Sequence, residues 1–461
     1  MESNIVRKIE CDVAVIGGGT TGIAAAIAAA NTGADAVLIE KNGCLGGNST
    51  AIPAWLGFHS CDGEITVKGL PLELLKKLQR RGGATRFYPD PICGSVVGIN
   101  THWWKIVAAE SVKEAEVRTL LHCCAFDLSK KSSMIDSLYI LGPEGVIELK
   151  AGNYIDCSDN GIIARLAGER LTRGREPDSR VQVASWIFEV DNIDFDELFD
   201  YLKEFPDDLR PFKLSDSAAH LAKIMNDEVF VMGAFERLIK EARAKGMHLE
   251  RDNMPGVAFP VAGKMVSVAC RIEDFDTQDA ILRTEAELAG AVQTVQWMEF
   301  LRRYVPGFSK CELSSSPMST GVRETNHLDG IYTLTADDLL EGKIFDDSIA
   351  LGGYHLDIHS PDHPGLETRK PPVYSIPYRS LLPKLTDNLI MAGRVISATH
   401  EAQSSTRVIP ISMAQGEAAG TAAALAVKEC QTLNRIDVQG LQNVLSKNGA
   451  LVMPDGVLNV V

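Results

Sequence analysis

A turn of three glycines near the start of the chain constrains the fold more than any other feature. Gly17-x-Gly19-x-x-Gly22 lies between an apolar run, Val13-Ala14-Val15-Ile16, and an Ala/Ile-rich stretch reaching Ala30. Asn31-Thr32-Gly33 breaks the pattern, and a second apolar run, Ala36-Val37-Leu38-Ile39, ends in Glu40. Run, turn, small-residue helix, break and second run make a β-α-β unit of about 30 residues. Gly17 permits the tight turn, Gly19 leaves no side chain between backbone and a diphosphate, and Gly22 lets helix and strand approach closely. The N–H groups and dipole at the helix start, where Thr20 and Thr21 lie, attract that diphosphate. Glu40, about 20 residues beyond the turn, stands where a carboxylate accepts hydrogen bonds from a ribose and repels a 2′-phosphate.

Parallel strands joined by a helix put the chain in the α/β class, with a Rossmann-type nucleotide domain. Helices are expected over 70–81 and 101–117, a strand over 117–121, a hairpin around Gly142-Pro143-Glu144-Gly145, and a strand over 153–157. The middle differs: residues 189–211 are acidic and aromatic, and 279–304 reads as a long helix. From Asp387 the first pattern returns, with a strand at 388–392, then Gly393-Arg394, then an Ala/Gly-rich helix over 413–428. The nucleotide domain is therefore expected to be discontinuous, residues 1–165 and 386–461, with an inserted α+β substrate domain at 166–385.

Charge narrows the partners. Across 461 residues the formal net charge is −15, which repels nucleic acid. The 10 Cys residues include no CxxC pair, so neither a zinc ribbon nor a dithiol redox centre is read. Residues 1–10 are polar and no apolar run reaches about 18 residues, so neither a secretory leader nor a membrane span is expected. A reducing cytoplasm fits these thiols.

Two features favour FAD over NAD. Glycines and small polar residues follow Glu40 in Lys41-Asn42-Gly43-Cys44-Leu45-Gly46-Gly47-Asn48-Ser49-Thr50, letting a loop run beside an extended cofactor. The distant Gly393-Arg394 segment supplies a second contact. With Thr399-His400-Glu401-Ala402, Gln415-Gly416-Glu417 and Thr320-Gly321-Val322-Arg323-Glu324, these pieces resemble the FAD-dependent oxidoreductase family, which shares its nucleotide fold with fumarate reductase flavoproteins and glutathione-reductase-like enzymes. The resemblance spans most of the chain, most weakly over 170–310. It implies that Gly17, Gly19 and Gly22 serve the diphosphate and Glu40 the ribose. Lys41, Gly47, Asn48, Ser49 and Thr50 would follow the cofactor, Gly393 and Arg394 would close over it, and the helix start at Met413, Ala414 and Gly416 would approach the flavin ring. One departure stands out. The family's Asp-Ala-Thr-Gly-Asp-type turn reads Asp156-Cys157-Ser158-Asp159-Asn160-Gly161 here, with Asp159 kept for the cofactor and Ser158 in the glycine position.

Flavin chemistry needs a group that moves a proton. His400, just after the Gly393-Arg394 segment, is the leading candidate. In Tyr354-His355-Leu356-Asp357-Ile358-His359, strand alternation puts His355, Asp357 and His359 on one face, toward substrate or toward solvent. Arg323 anchors an anionic group or pairs with Glu324; Tyr378 lines the pocket mouth. His59 and Cys44 are the places a covalent flavin link would form, though nothing demands one. The prolines around His363 argue against a metal site. The leading expectation is hydride transfer between FAD and a small organic substrate, as a dehydrogenase or C=C reductase. The alternatives are a flavin-bearing binding or tRNA-modification-type protein, and a flavin monooxygenase. No second glycine triplet offers an NAD(P)H domain; the electron partner and a homo-oligomeric state stay open.

Overall fold

The computed structural model describes residues 5–209 and 217–454. Its main sheet is built from β1 (Ile5–Ile16), β2 (Ala36–Ile39), β3 (Arg118–Leu120), β4 (Cys124–Lys131), β5 (Met134–Gly142) and β6 (Gly145–Asp156). The order is β3-β2-β1-β6-β5-β4, and a late strand, Leu389–Met391, pairs with β6. β3, β2, β1, β6 and the late strand run parallel, whereas β4, β5 and β6 form an antiparallel meander. Val13–Ile16 and Ala36–Ile39 are buried throughout, the mark of strands covered on both faces. In register, Ile16 lies beside Ile39 on one side and Asp156 on the other. The carboxyl ends of β1, β2 and β6 thus meet where the chain leaves β1 in two directions, the place such sheets hold ligands.

Helix α1 (Thr20–Asn31) has no polar face, and Gly22 to Ala29 are all buried. It is sandwiched between the sheet and a late helix, Ile409–Lys428, with which it makes its most extensive contact. Glycines allow that crossing. A Cβ on Gly416 would sit 2.2 Å from the Thr21 carbonyl oxygen, and one on Gly420 would sit 2.0 Å from that of Ala25. The late helix starts four residues before the expected Met413, because Pro410 suits a first helical turn.

The inserted unit has its own antiparallel sheet of β7 (Phe188–Asp191), β8 (Phe230–Ala234), β9 (Met254–Phe259), β10 (Lys264–Ser267) and β11 (Glu312–Ser315), in the order β8-β9-β10-β7-β11. With the long helix Ala280–Tyr304 it encloses a separate core that includes Phe188, Phe235, Trp297 and Phe308. That core draws on residues 188–311, while Leu334, Ile376 and Leu382 join the core around α1. The independently packed insert is therefore narrower than 166–385. Residues 210 and 211 of the acidic, aromatic segment lie outside the described residues. No helix of the described residues is long and apolar enough to cross a membrane.

One buried carboxyl is enclosed by this packing. Glu417 of the late helix is 3 % exposed and accepts the Leu70 N–H at 3.1 Å, at the start of the Leu70–Arg80 helix. Burial pushes its pKa up to about 8, the Leu70 amide offsetting this only in part. Its folded pKa exceeds its unfolded value of 4.5, so folding takes up a proton. The associated stability is fully present below pH 4.5 and is lost as pH rises through about 8. Glu417→Gln, which keeps an acceptor for Leu70, is expected to be more stable than the parent at pH 8 and close to it at pH 5. Denaturant unfolding at both pH values checks this, and identical pH slopes in the two proteins would rule it out.

Candidate active site

A cavity of 1120 Å³ opens at the carboxyl ends of the parallel strands and runs between the two units. Single drug-sized ligands occupy pockets of roughly 300–1,000 Å³, so there is room for an extended cofactor and a small molecule. One part is walled by the glycine turn: Gly17, Gly19, Thr20, Thr21, Glu40 and Lys41 line it, followed by Gly47 to Thr50. Asp159, Gly393 and Arg394 complete this wall.

The turn is shaped by missing side chains. Gly17 has φ +105°, and a Cβ there would meet the Cys157 carbonyl oxygen at 2.5 Å. A Cβ on Gly22 would lie 1.8 Å from the Gly17 oxygen, so Gly22 serves helix–strand contact and does not line the cavity. Gly47 faces Gly19 so closely that a Cβ on it would be 2.9 Å from the Gly19 Cα. Gly19 is different. The nearest atom to a Cβ built on it is 4.0 Å away, and it opens directly to the cavity. This is the cradle a diphosphate needs, with backbone reachable and no side chain in the way.

The charged groups along this wall are held by protein partners. Glu40 accepts the Gly18 N–H at 2.7 Å and the Asn42 backbone and side-chain N–H groups at 2.8 and 2.7 Å. Lys41 pairs with Asp159 at 2.8 Å, and Arg283 reaches the same carboxylate at 3.6 Å. Burial opposes the charge on Asp159, but Lys41 and Arg394 outweigh it and hold the carboxyl below its usual range. Asn48 and Arg394 both donate to the Val322 carbonyl. The Ser158 departure is absorbed locally: its Oγ accepts the Gly161 and Ile162 N–H groups at 3.1 Å each. Asp156 accepts from Ser158, Ile163 and Ala164, which caps the short helix that follows.

The expected contacts at Met413, Ala414 and Gly416 are corrected. Because the helix begins earlier, its Val408, Ile409 and Ser412 line the cavity, and Gly416 is spent on the crossing with α1. Of the two possible covalent positions, Cys44 lines the cavity, whereas His59 does not and instead meets the Ser95 hydroxyl at 2.8 Å.

The other part of the cavity gathers polar groups. The Leu356–His359 strand, β12, turns Asp357 and His359 to the cavity, with His355 just before it, while Leu356 and Ile358 point away. The expected polar face thus looks inward. Tyr354 also lines the cavity, because it precedes the strand and escapes its alternation. Arg323 lines it too, donating to the Val183 carbonyl at 2.7 Å and to the Ser185 hydroxyl at 3.0 Å. Arg407 donates to the Asp357 carboxylate at 2.9 Å, and His359 lies 3.4 Å from the same group. Burial disfavours the Asp357 charge, but His359, Arg407 and His355 overcome this and hold it well below the ordinary carboxylate range. Burial, then Arg323, lowers His359 to about 3. Burial likewise lowers His355.

Two catalytic candidates are placed elsewhere. His400 does not line the cavity; its Nδ1 lies 2.8 Å from Glu324, a carboxylate with no exposure. Glu324 also binds His327 Nε2 at 2.8 Å and accepts the Gln182 N–H at 2.7 Å. Burial works against a charge on His400, but Glu324 outweighs it and raises its pKa. The imidazole is a brace, and Glu324 is not a partner of Arg323. Tyr378 is buried, and its hydroxyl donates to the Leu433 carbonyl at 2.9 Å, away from the cavity. Arg251 and Arg407, absent from the sequence-based candidates, also line the cavity. Arg407 lies between two segments noted for resemblance, Thr399-His400-Glu401-Ala402 and Gln415-Gly416-Glu417; Arg251 comes from the weakly matching insert and carries no such signal.

With this geometry established, a family model for FAD-dependent oxidoreductases matches residues 12–445. The chain belongs to this family. FAD is its cofactor, and it is an enzyme. Among curated protein sequences none matches the chain. Solved structures resemble it in fold. A p-nitrophenol 4-monooxygenase from Pseudomonas putida superposes with a TM-score of 0.50 at 11% identity, over 93% of this chain and 83% of that one. A geranylgeranyl bacteriochlorophyll reductase-like protein from Thermoplasma acidophilum gives 0.45 at 12% identity, over 95% and 84%. At 11% identity the likeness to the monooxygenase shows the fold alone.

Two outcomes follow for this FAD-dependent oxidoreductase. Gly19→Val is expected to fold but to bind flavin at least about tenfold more weakly, because its side chain enters the open cradle. Flavin absorbance after gel filtration, with circular dichroism as the folding control, checks this. His400→Asn is expected to lower stability by about 1.5–3 kcal/mol, the usual worth of a hydrogen bond to a charged group, without slowing flavin reduction. A large rate loss would return His400 to the catalytic machinery.

Proposed function

We propose that this FAD-dependent oxidoreductase transfers a hydride between its flavin and a small organic substrate, acting as a dehydrogenase or as a reductase of an activated C=C bond. One observation carries the reading. A single cavity is walled in one part by the glycine cradle and in the other by buried groups able to orient a substrate and move a proton. Bound FAD supplies the hydride acceptor or donor. The chain's own residues supply the rest. Arg323 and Arg407 orient the substrate, and Asp357 fixes Arg407.

We assign the proton to His355. It is 1 % exposed, faces the cavity, and burial favours its neutral form, which is ready to accept a proton at neutral pH. Tyr354, 3 % exposed, packs edge-on against the His355 ring with centroids 4.2 Å apart and holds it in place. The substrate partner is a small molecule.

The test is anaerobic mixing of the yellow holoenzyme with candidate substrates in a stopped-flow spectrophotometer. Bleaching or reoxidation of the flavin without oxygen is expected. His355→Gln is expected to slow that step by roughly 10²–10⁴-fold, as for removal of a general acid–base group, with flavin retained. Turnover that occurs only with oxygen and inserts an oxygen atom would replace this reading by a monooxygenase.

A further inference from the structure

The charges in the substrate part of the cavity do not balance. Arg251, Arg323 and Arg407 line it, and Asp357 is the carboxylate among them. The other lining carboxylates are engaged elsewhere: Asp159 with Lys41 and Arg283, Glu236 with Lys240, and Glu40 with Gly18 and Asn42. His355 and His359 add no positive charge, since burial favours their neutral forms. Among the described residues, three lining guanidinium groups share one lining carboxylate, so two of the positive charges have no countercharge in the cavity wall.

The three arginines hang on one connected set of backbone segments and hydrogen bonds. Arg323 donates to Val183 and Ser185, and the Val183 N–H donates to the His359 carbonyl at 3.1 Å. The Ser185 hydroxyl donates to the Val268 carbonyl at 3.1 Å, and Arg251 Nε donates to that of the next residue, Ala269, also at 3.1 Å. Arg407 reaches the same cluster through Asp357, which His359 approaches from the other side. Among the described residues, Arg251 Nη2, Arg407 Nε and His359 Nδ1 find no hydrogen-bond partner. Arg251 is 3 % exposed and His359 8 %.

Leaving guanidinium groups buried and unpaired is costly. A planar anion that accepts two parallel N–H bonds from a guanidinium removes that cost, and a carboxylate has that shape. The cofactor's diphosphate does not meet this need, because its cradle is the glycine turn in the other wall. We infer that the substrate is a small organic acid whose carboxylate is held by Arg251, Arg323 and Arg407, leaving its oxidisable or reducible carbon free to face the flavin. This rests on the hydride-transfer reading above and names the substrate class for it.

The test titrates the holoenzyme with malonate, succinate and benzoate, with their amides, and with inorganic phosphate and sulfate. Isothermal titration calorimetry and the flavin difference spectrum are the readouts. The acids are expected to bind saturably, at least about tenfold tighter than their amides, as befits hydrogen bonds to a charged group, and to perturb the flavin spectrum. Arg251→Gln is expected to erase this preference while flavin stays bound. Arg251→Lys, which keeps the charge but not the fork, is expected to fall between and covers the case in which the glutamine variant does not fold. Amides that bind as well as acids, inorganic oxyanions that bind tighter than every carboxylate, or acid binding unmoved by both variants would overturn the inference. A protein that never takes up flavin but still prefers acids by calorimetry would sink the oxidoreductase reading and spare the anion site. A yellow, substrate-reducible protein indifferent to carboxylates would do the reverse.

Discussion

The structure depends on how closely backbone can approach backbone around the first turn. Gly17 lies against the Cys157 carbonyl, Gly22 against Gly17, Gly47 against Gly19, and Gly416 against Thr21. At each contact one absent Cβ lets two segments touch that any other residue would hold apart. These contacts join β1, α1, the loop after β2, the turn after β6 and the late helix. The open turn at Gly19 is therefore inseparable from the packing of the nucleotide domain.

A second constraint organises the substrate wall from behind. Glu324 gathers Gln182, His327 and His400 around one buried carboxylate. Gln182 also reaches Gln403, whose side chain donates to the Arg323 carbonyl. The backbone before Glu324 is thereby held so that Arg323 faces the cavity. Adjacent residues of opposite charge are placed differently: Glu324 is buried behind the wall, and Arg323 lines the cavity.

Legibility followed the range of the interactions involved. The β-α-β unit was readable because its signal is local: hydrophobic runs, glycine spacing and Glu40 fall within about 30 residues. The long helix over 279–304 was readable for the same reason, with Asp279 capping it. The inward face of His355, Asp357 and His359 was half readable, since alternation groups residues on a face but does not say what that face meets. His400 misled because proximity in sequence to Gly393-Arg394 says nothing about a carboxylate arriving from position 324. The late helix begins four residues before its Ala/Gly-rich stretch, because Pro410 belongs to its first turn.

By itself, the sequence determined the nucleotide cradle and with it the family and the cofactor, because glycine spacing and helix-start chemistry act over a few residues and tolerate no substitute. Only the tertiary structure decided the substrate wall. Arg251, Arg323 and Arg407 come from three separate segments and line one cavity only in the folded chain, because long-range packing, not local spacing, decides which side chains share a wall.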